Sequence, residues 1–272
     1  GVHAMRERLV QLLGSVGYHV PVATFHGFCN EVITAHPERF LAQAAIEPIS
    51  DLDRLTCIQA CINTLPADSP LKPFGAPDFY IPDIIHAIQT LKRENVTVTQ
   101  LRTLAGEDQK LLALAQVYEH YQERLRAQQV YDYEDMILFV IQAFTESPEL
   151  LAEYQEQYLY MLVDEFQDTN GAQNEIIRWL ASGQTQPNIC VVGDDRQSIY
   201  RFQGAALENI LAFQQRYGTE LQMVTLTDNY RSQQWILDAA TAVISQNKHS
   251  LREDPLTAAR DSATTPIELA EL

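Results

Sequence analysis

Three short apolar runs constrain this chain most: 158–164 (YLYMLVD, after Gln157), 188–192 (NICVV) and 221–226 (LQMVTL). Each is followed by a stretch with helical spacing, at about 171–182, 206–216 and 232–246. A strand that is apolar on both faces needs cover on both, and strands joined through helices run parallel. The rhythm predicts an α/β fold with a parallel sheet and helical crossovers from residue 131 onward. Helices at about 133–144 and 149–156 lead into the first run. A further run at 20–24 (VPVAT), between helices at about 4–13 and from about 26, reads as one more strand.

Between 37 and 130 the strand signal disappears. Prolines stand at 66, 70, 73, 77 and 82, with helical stretches on either side. The clearest helix is 107–128, where Leu111, Leu114, Tyr118, Tyr121 and Leu125 follow three-four spacing and form one apolar stripe. This is the pattern of an all-helical insertion with its own core. The last 25 residues are polar, contain Pro255 and Pro266, and end in PIELAEL, a linker followed by an opening strand. The expected division is therefore 1–36 and 131–250 as two parts of one α/β domain, 37–130 as the insertion, and 251–272 as the start of a second domain.

Composition narrows the function. The net charge is −17, and there are four lysines, Lys72, Lys92, Lys110 and Lys248. A protein that coats DNA without specificity needs a broad basic surface, so nucleic-acid contact here must be local and rest on aromatic stacking and a few arginines. No apolar run approaches the ~20 residues of a membrane-spanning helix, and the opening GVHAMRERL is charged rather than leader-like. A cytoplasmic protein without membrane contact is the expectation. Cys57 and Cys61, four apart on a helix among apolar neighbours, read as buried reduced thiols.

In open α/β sheets ligands bind beyond the carboxyl ends of the strands, and three strands carry polar clusters there. The first ends in Val163-Asp164-Glu165-Phe166-Gln167-Asp168-Thr169-Asn170. Of two adjacent carboxylates, one suits a Mg²⁺-bound water and the next suits an attacking water; as a bare dipeptide, however, the pair reads better as a solvated loop. The second continues through Gly193-Asp194-Asp195-Arg196-Gln197-Ser198-Ile199-Tyr200-Arg201-Phe202-Gln203-Gly204. Gly193 permits a tight exit from the strand, Gln197 can set an amide near a phosphate, and Tyr200, Arg201 and Phe202 make a stacking platform for single-stranded bases, unless the two rings are core. The third ends in Asp228-Asn229-Tyr230-Arg231-Ser232. There an arginine suits a nucleotide phosphate and a tyrosine suits a base; Ser232 is a candidate helix cap.

Taken together and in this order, VDEFQDTN, VVGDDRQSIYRFQGA and LTDNYRS resemble the motifs of UvrD/Rep-type superfamily 1 DNA helicases. Ala23-Thr24-Phe25-His26-Gly27-Phe28-Cys29, Tyr131-Asp132-Tyr133-Glu134-Asp135-Met136-Ile137 and Ala4-Met5-Arg6-Glu7-Arg8-Leu9 resemble further segments of that family. The resemblance implies a P-loop NTPase, RecA-like parallel sheet with an inserted helical subdomain, ATP and Mg²⁺ as ligands, and single-stranded DNA as partner. It implies that Asp164 coordinates Mg²⁺ and Glu165 activates the hydrolytic water. Gln197 would sense the γ-phosphate, Arg231 would touch it, and Tyr230 would stack on adenine. Thr24, Phe25 and His26 would line the strand path, with Tyr200, Arg201 and Phe202 against the bases, and movement would run 3′→5′.

The sequence departs from that pattern in two places. It contains no G-x-x-x-x-G-K-[ST], and none of its lysines follows a glycine, so the phosphate-cradling loop is missing from these residues. Gln203 stands where the family commonly has arginine. The expectation is a helicase fragment whose ATP site needs further chain segments or a protein partner for completion, and which alone turns over little ATP. The alternative is a helicase-like DNA-binding or scaffold module that does not hydrolyse. A sheet lacking the strand before that loop must close up, pair elsewhere or leave strands exposed.

Overall fold

The computed structural model describes residues 1–40, 47–76, 78–184, 186–194, 206–245 and 255–259. These fall into two compact units, Gly1–Met161 with Asn170–Cys190, and Leu162–Thr169 with Val191–Leu272.

The first unit holds two apolar cores. Helices α1 (Val2–Leu13) and α2 (Phe25–Ala35) open it. The run at 20–24, expected to be a strand, forms none. Pro21 removes a ladder donor, no described strand lies alongside, and Thr24 instead caps α2 by accepting the Gly27 N–H at 3.0 Å. Next come strand β1 (Glu47–Pro48), helices α3 (Asp51–Asn63), α4 (Ile81–Arg93), α5 (Val98–Ala105) and α6 (Gln109–Gln128), and strand β2 (Val130–Tyr131).

Helices α3 to α6 enclose a core that includes Ile58, Ile62, Ile84, Ile88, Tyr121 and Leu125. Their starts are fixed locally. Ser50 and Asp108 accept backbone N–H groups of the first turns of α3 and α6, and Thr97 and Gln100 form a reciprocal capping box on α5. On α6 the predicted stripe holds at Tyr118, Tyr121 and Leu125, whereas Leu111 near its start is exposed and Ala115 and Val117 are buried instead. Cys57 and Cys61 are buried and free. The region is not wholly without strands: β1 and β2 pair in parallel, Glu47 opposite Val130. Two residues are too few to display a strand's alternation, which is why the sequence hid them.

The second core lies among α2, α7 (Asp135–Glu146), α8 (Pro148–Gln157) and α9 (Gly171–Ala181), around Cys29, Val32, Val140, Phe144, Leu150 and Ile176. Burial pushes the Cys29 thiol up to about 12, so it stays protonated.

The last residues of α4 join the two cores through charge. Lys92 is fully buried, and its Nζ donates to Asp132 Oδ2 at 2.6 Å and to Asp135 at 2.9 Å. Asp132 also accepts from Arg54 Nε at 3.0 Å and Tyr121 Oη at 2.9 Å. Arg93 pairs with Glu134 at 3.1 Å, and Glu94 accepts the Gly171 N–H at the start of α9. Burial opposes ionisation of Asp132, but Lys92, Tyr121 and Arg54 outweigh it and hold the carboxyl below its ordinary 3.8.

The α/β part is less continuous than the rhythm predicts. Strands β3 (Tyr160–Val163) and β4 (Asn188–Val191) pair. Just past the ladder, Val192 N–H donates to Val163 O at 2.8 Å and Val192 O accepts from Phe166 N–H at 2.9 Å. In the second unit follow α10 (Ala206–Tyr217), strand β5 (Asp228–Asn229), α11 (Gln234–Ile244) and strand β6 (Thr257–Ala258), with Asp228 opposite Thr257 in a parallel pair. The run 221–226 is not a strand: the ladder begins only at Asp228. Nor is β3 buried on both faces, since Leu162 is 80% exposed. Among the described residues β4 is its sole ladder partner, and Met223, Val224 and Leu226 are exposed too.

Candidate functional site

Asp164 and Glu165 emerge where β3 ends, and both are exposed. The turn they make is unusual. Glu165 has φ 50 and ψ 44, the left-handed region that a non-glycine side chain adopts at a cost. Three bonds hold it there. Its own N–H donates to Asp164 Oδ1 at 3.0 Å, its carbonyl accepts the Asp168 N–H at 2.8 Å, and its Oε2 accepts from Gln167 Nε2 at 2.6 Å. Backbone strain stabilised by its surroundings is a recurrent mark of functional sites. Here the turn brings the Glu165 carboxylate onto Gln167 Nε2, and Asp164 makes its bond to the turn through Oδ1.

Gln167 is 1% exposed. Its Oε1 accepts the backbone N–H of Asp194, just past β4, at 3.1 Å. Gly193 has no positive φ, so conformational freedom is not what the position requires. Space is: a Cβ there would lie 2.8 Å from Gln167 Oε1. The tight exit expected at Gly193 is thus a matter of room beside Gln167 rather than of a positive φ. Gln167 was not among the expected site residues, and its only signal in the sequence was a polar residue two positions beyond a carboxylate. Downstream, Asn209 of α10 donates to Thr169 O at 2.7 Å, and Phe166 packs edge-on to Phe213 with ring centroids 5.4 Å apart.

Tyr230 and Arg231 belong to the same unit as the carboxylates and are both exposed. Their turn is set by Asn229, whose Oδ1 accepts the N–H groups of Arg231 at 2.9 Å and Ser232 at 2.7 Å. Ser232 is not the cap of α11. That position is Gln233, which makes no side-chain cap bond; its Oε1 accepts from the Trp235 indole N–H at 2.6 Å instead. Gln197, Tyr200, Arg201 and Phe202 lie outside the described residues.

Thr24, Phe25 and His26 belong to the first unit, at the start of α2. Thr24 is exposed; Phe25 and His26 are half-buried. The His26 ring stacks on Tyr133 at 3.8 Å with 15° between planes, and Tyr133 itself is 56% exposed. Burial pulls His26 below its ordinary 6.5, with Arg93 acting the same way and Glu134 and the Tyr133 backbone opposing. The ring is therefore neutral at pH 7, and its Nε2 is buried with no hydrogen-bond partner among the described residues. The segment 131–137 thus contributes a ring against His26 as well as the two carboxylates on Lys92.

Comparison with known proteins gives these residues a context. The family described as UvrD/REP helicase N-terminal domain matches residues 2–218. Proteins named ATP-dependent DNA helicase PcrA match over most of the chain. That of Staphylococcus aureus strain Mu50 is 35% identical over 243 residues, covering 89% of this chain and 32% of the relative. That of Leuconostoc citreum is 35% identical over 244 residues, covering 89% and 31%. That of Staphylococcus epidermidis is 34% identical over 243 residues, covering 89% and 32%. The chain spans about a third of the length of these relatives. Among the described residues no helix is long and apolar enough to cross a membrane.

Proposed function

This chain belongs to the UvrD/REP helicase family, and from that premise we propose that it serves an ATP-dependent motor moving 3′→5′ along single-stranded DNA, in repair or replication. In this reading 1–36 and 131–250 build a RecA-like domain, 37–130 is inserted into it, and 251–272 leads toward a second such domain.

The observation that carries the proposal is the turn at Glu165, where a left-handed backbone is held by three hydrogen bonds beside a second exposed carboxylate. The donor set suits magnesium: Asp164 offers a carboxylate oxygen at a strand end, the hard ligand that ion prefers. A bound magnesium ion neutralises charge on the phosphates of ATP. Glu165 then orients the attacking water and takes its proton, a role that needs a carboxylate fixed in direction and open to solvent. Arg231 contacts the γ-phosphate, Gln197 senses it, and Tyr230 stacks on the adenine. Thr24, Phe25 and His26 in one segment, and Tyr200, Arg201 and Phe202 in another, contact the DNA strand. The neutral, stacked His26 suits a base or sugar better than a phosphate, because it brings no positive charge.

ATP turnover by the full gene product, with and without single-stranded DNA, tests the reading. DNA should stimulate hydrolysis, and Glu165→Gln should lower kcat by about 10²–10⁴-fold, the range for removing a general base. Unchanged turnover in that variant would remove Glu165 from the chemistry. DNA binding without any hydrolysis would favour a second reading, a helicase-like binding module.

A further inference from the structure

We propose that Gln167 is a positioning residue: it holds the Glu165 carboxylate in its working direction and ties it to the exit of β4. The inference rests on the reading of Glu165 given above.

A carboxylate only accepts, and a backbone N–H only donates. Gln167 sits between one of each, 2.6 Å from Glu165 Oε2 and 3.1 Å from Asp194 N. Its amide can satisfy both in a single orientation, nitrogen toward Glu165 and oxygen toward Asp194. No other side chain of this length supplies a donor and an acceptor at fixed separation without carrying charge. Glutamate would turn an oxygen toward an oxygen. Leucine or methionine would fill the volume and make neither bond.

Burial makes the arrangement stiff. Gln167 is 1% exposed, whereas the carboxylate it grips is exposed, so the buried partner sets the direction of the exposed one. Gly193 completes the fit, since a methyl group there would intrude on the same amide oxygen at 2.8 Å. The backbone of Gln167 adds to the crowding, its nitrogen lying 3.3 Å from that imagined Cβ. Position 193 therefore acts on Glu165 through Gln167, and the two positions should behave as one unit.

Two measurements test this. In the DNA-stimulated ATPase of the full gene product, Gln167→Met should lower kcat by about ten- to a hundredfold, the scale of a small misplacement of a reacting group. The ATP KM should stay within about twofold. Gly193→Ala should do the same, and the double variant should be no slower than the slower single, because the second change acts through a bond already lost. Multiplying effects, or KM rising in step with kcat falling, would overturn the proposal. The second measurement needs no turnover. In this chain labelled with ¹⁵N, Glu165→Gln should shift the side-chain amide resonances of Gln167, and Gln167→Met should shift the backbone amide of Asp194. If those resonances stay put, the clamp does not exist, whatever the ATPase shows. If they shift but the wild-type gene product hydrolyses no ATP, the clamp stands and the hydrolytic reading of Glu165 fails. Glu165→Gln alters an exposed side chain, so this arm survives even if Gln167→Met does not fold.

Discussion

The end of α4 and the end of β3 both gather acidic side chains and treat them in opposite ways. At the first, Asp132 and Asp135 are buried, and Lys92, Arg54 and Tyr121 neutralise or hydrogen-bond them. At the second, Asp164 and Glu165 are exposed and the backbone is strained, and among the described residues the side chain that grips Glu165 is an uncharged amide. Buried charge must be paired, and paired charge is committed to structure. Exposed carboxylates on a stiff turn remain available for a metal ion or a water. Acid content alone does not mark a functional site. What sets this pair apart is a fixed geometry combined with exposure, with no ion pair to either carboxylate among the described residues.

The largest effect is expected at Lys92. Lys92→Met keeps the buried stem but leaves two carboxylates without their shared cation. Removing one partner of a buried pair costs about 3–5 kcal/mol, and that loss should appear as a lower urea midpoint. A change below ~1 kcal/mol would mean that solvent reaches the network, and that α4 is not joined to α7 by charge. The result also bears on DNA binding. Lys92 is buried against Asp132 and Asp135 and is unavailable to any phosphate, which leaves fewer cations for a nucleic-acid contact than the count of lysines implies.

A smaller effect separates the two clusters by pH. The folded state holds Asp132 below its ordinary 3.8, so its contribution to stability is fully present above that value. It is lost as pH falls through the depressed folded value, because the unfolded chain takes up the proton first. Urea midpoints followed from pH 6 downward should therefore fall more steeply in the wild type than in Asp132→Asn. Equal slopes would place the charge of Asp132 outside the acid transition.

Legibility follows the same divide. The helices around Ile58, Ile88 and Tyr121 were readable because apolar spacing reports burial directly, and β3 with its polar exit at Asp164 was readable because an apolar run stops there at a carboxylate. The Lys92 network was not, since its members are 40 and 43 residues apart in sequence and no local pattern joins them. The run 221–226 carried a strand's composition, yet composition supplies no partner strand, and a strand exists only where its ladder is completed. At Glu165 the types Asp and Glu were visible, but the left-handed turn was not: nothing in D-E-F-Q announces a positive φ at a residue that usually avoids it. Gln167 was missed for a related reason. A buried amide and a solvated one look the same in a sequence.

The smallest expected effect is the most informative about the second cluster. Glu165→Gln keeps the length, the left-handed residue and an oxygen for Gln167 Nε2 to bond, and removes only the charge. If the carboxylate pair had been placed for stability, as at Lys92, neutralising one member would register in the midpoint. If it stands in solvent for chemistry, the urea or thermal midpoint should shift by less than about 0.5 kcal/mol, the usual range for surface substitutions, while turnover collapses. Loss of like-charge repulsion with Asp164 pushes the other way, so a slight gain in stability fits the same picture. A loss above ~1 kcal/mol would show that Glu165 carries structural weight, and the contrast between the two carboxylate clusters would then be one of degree rather than of kind.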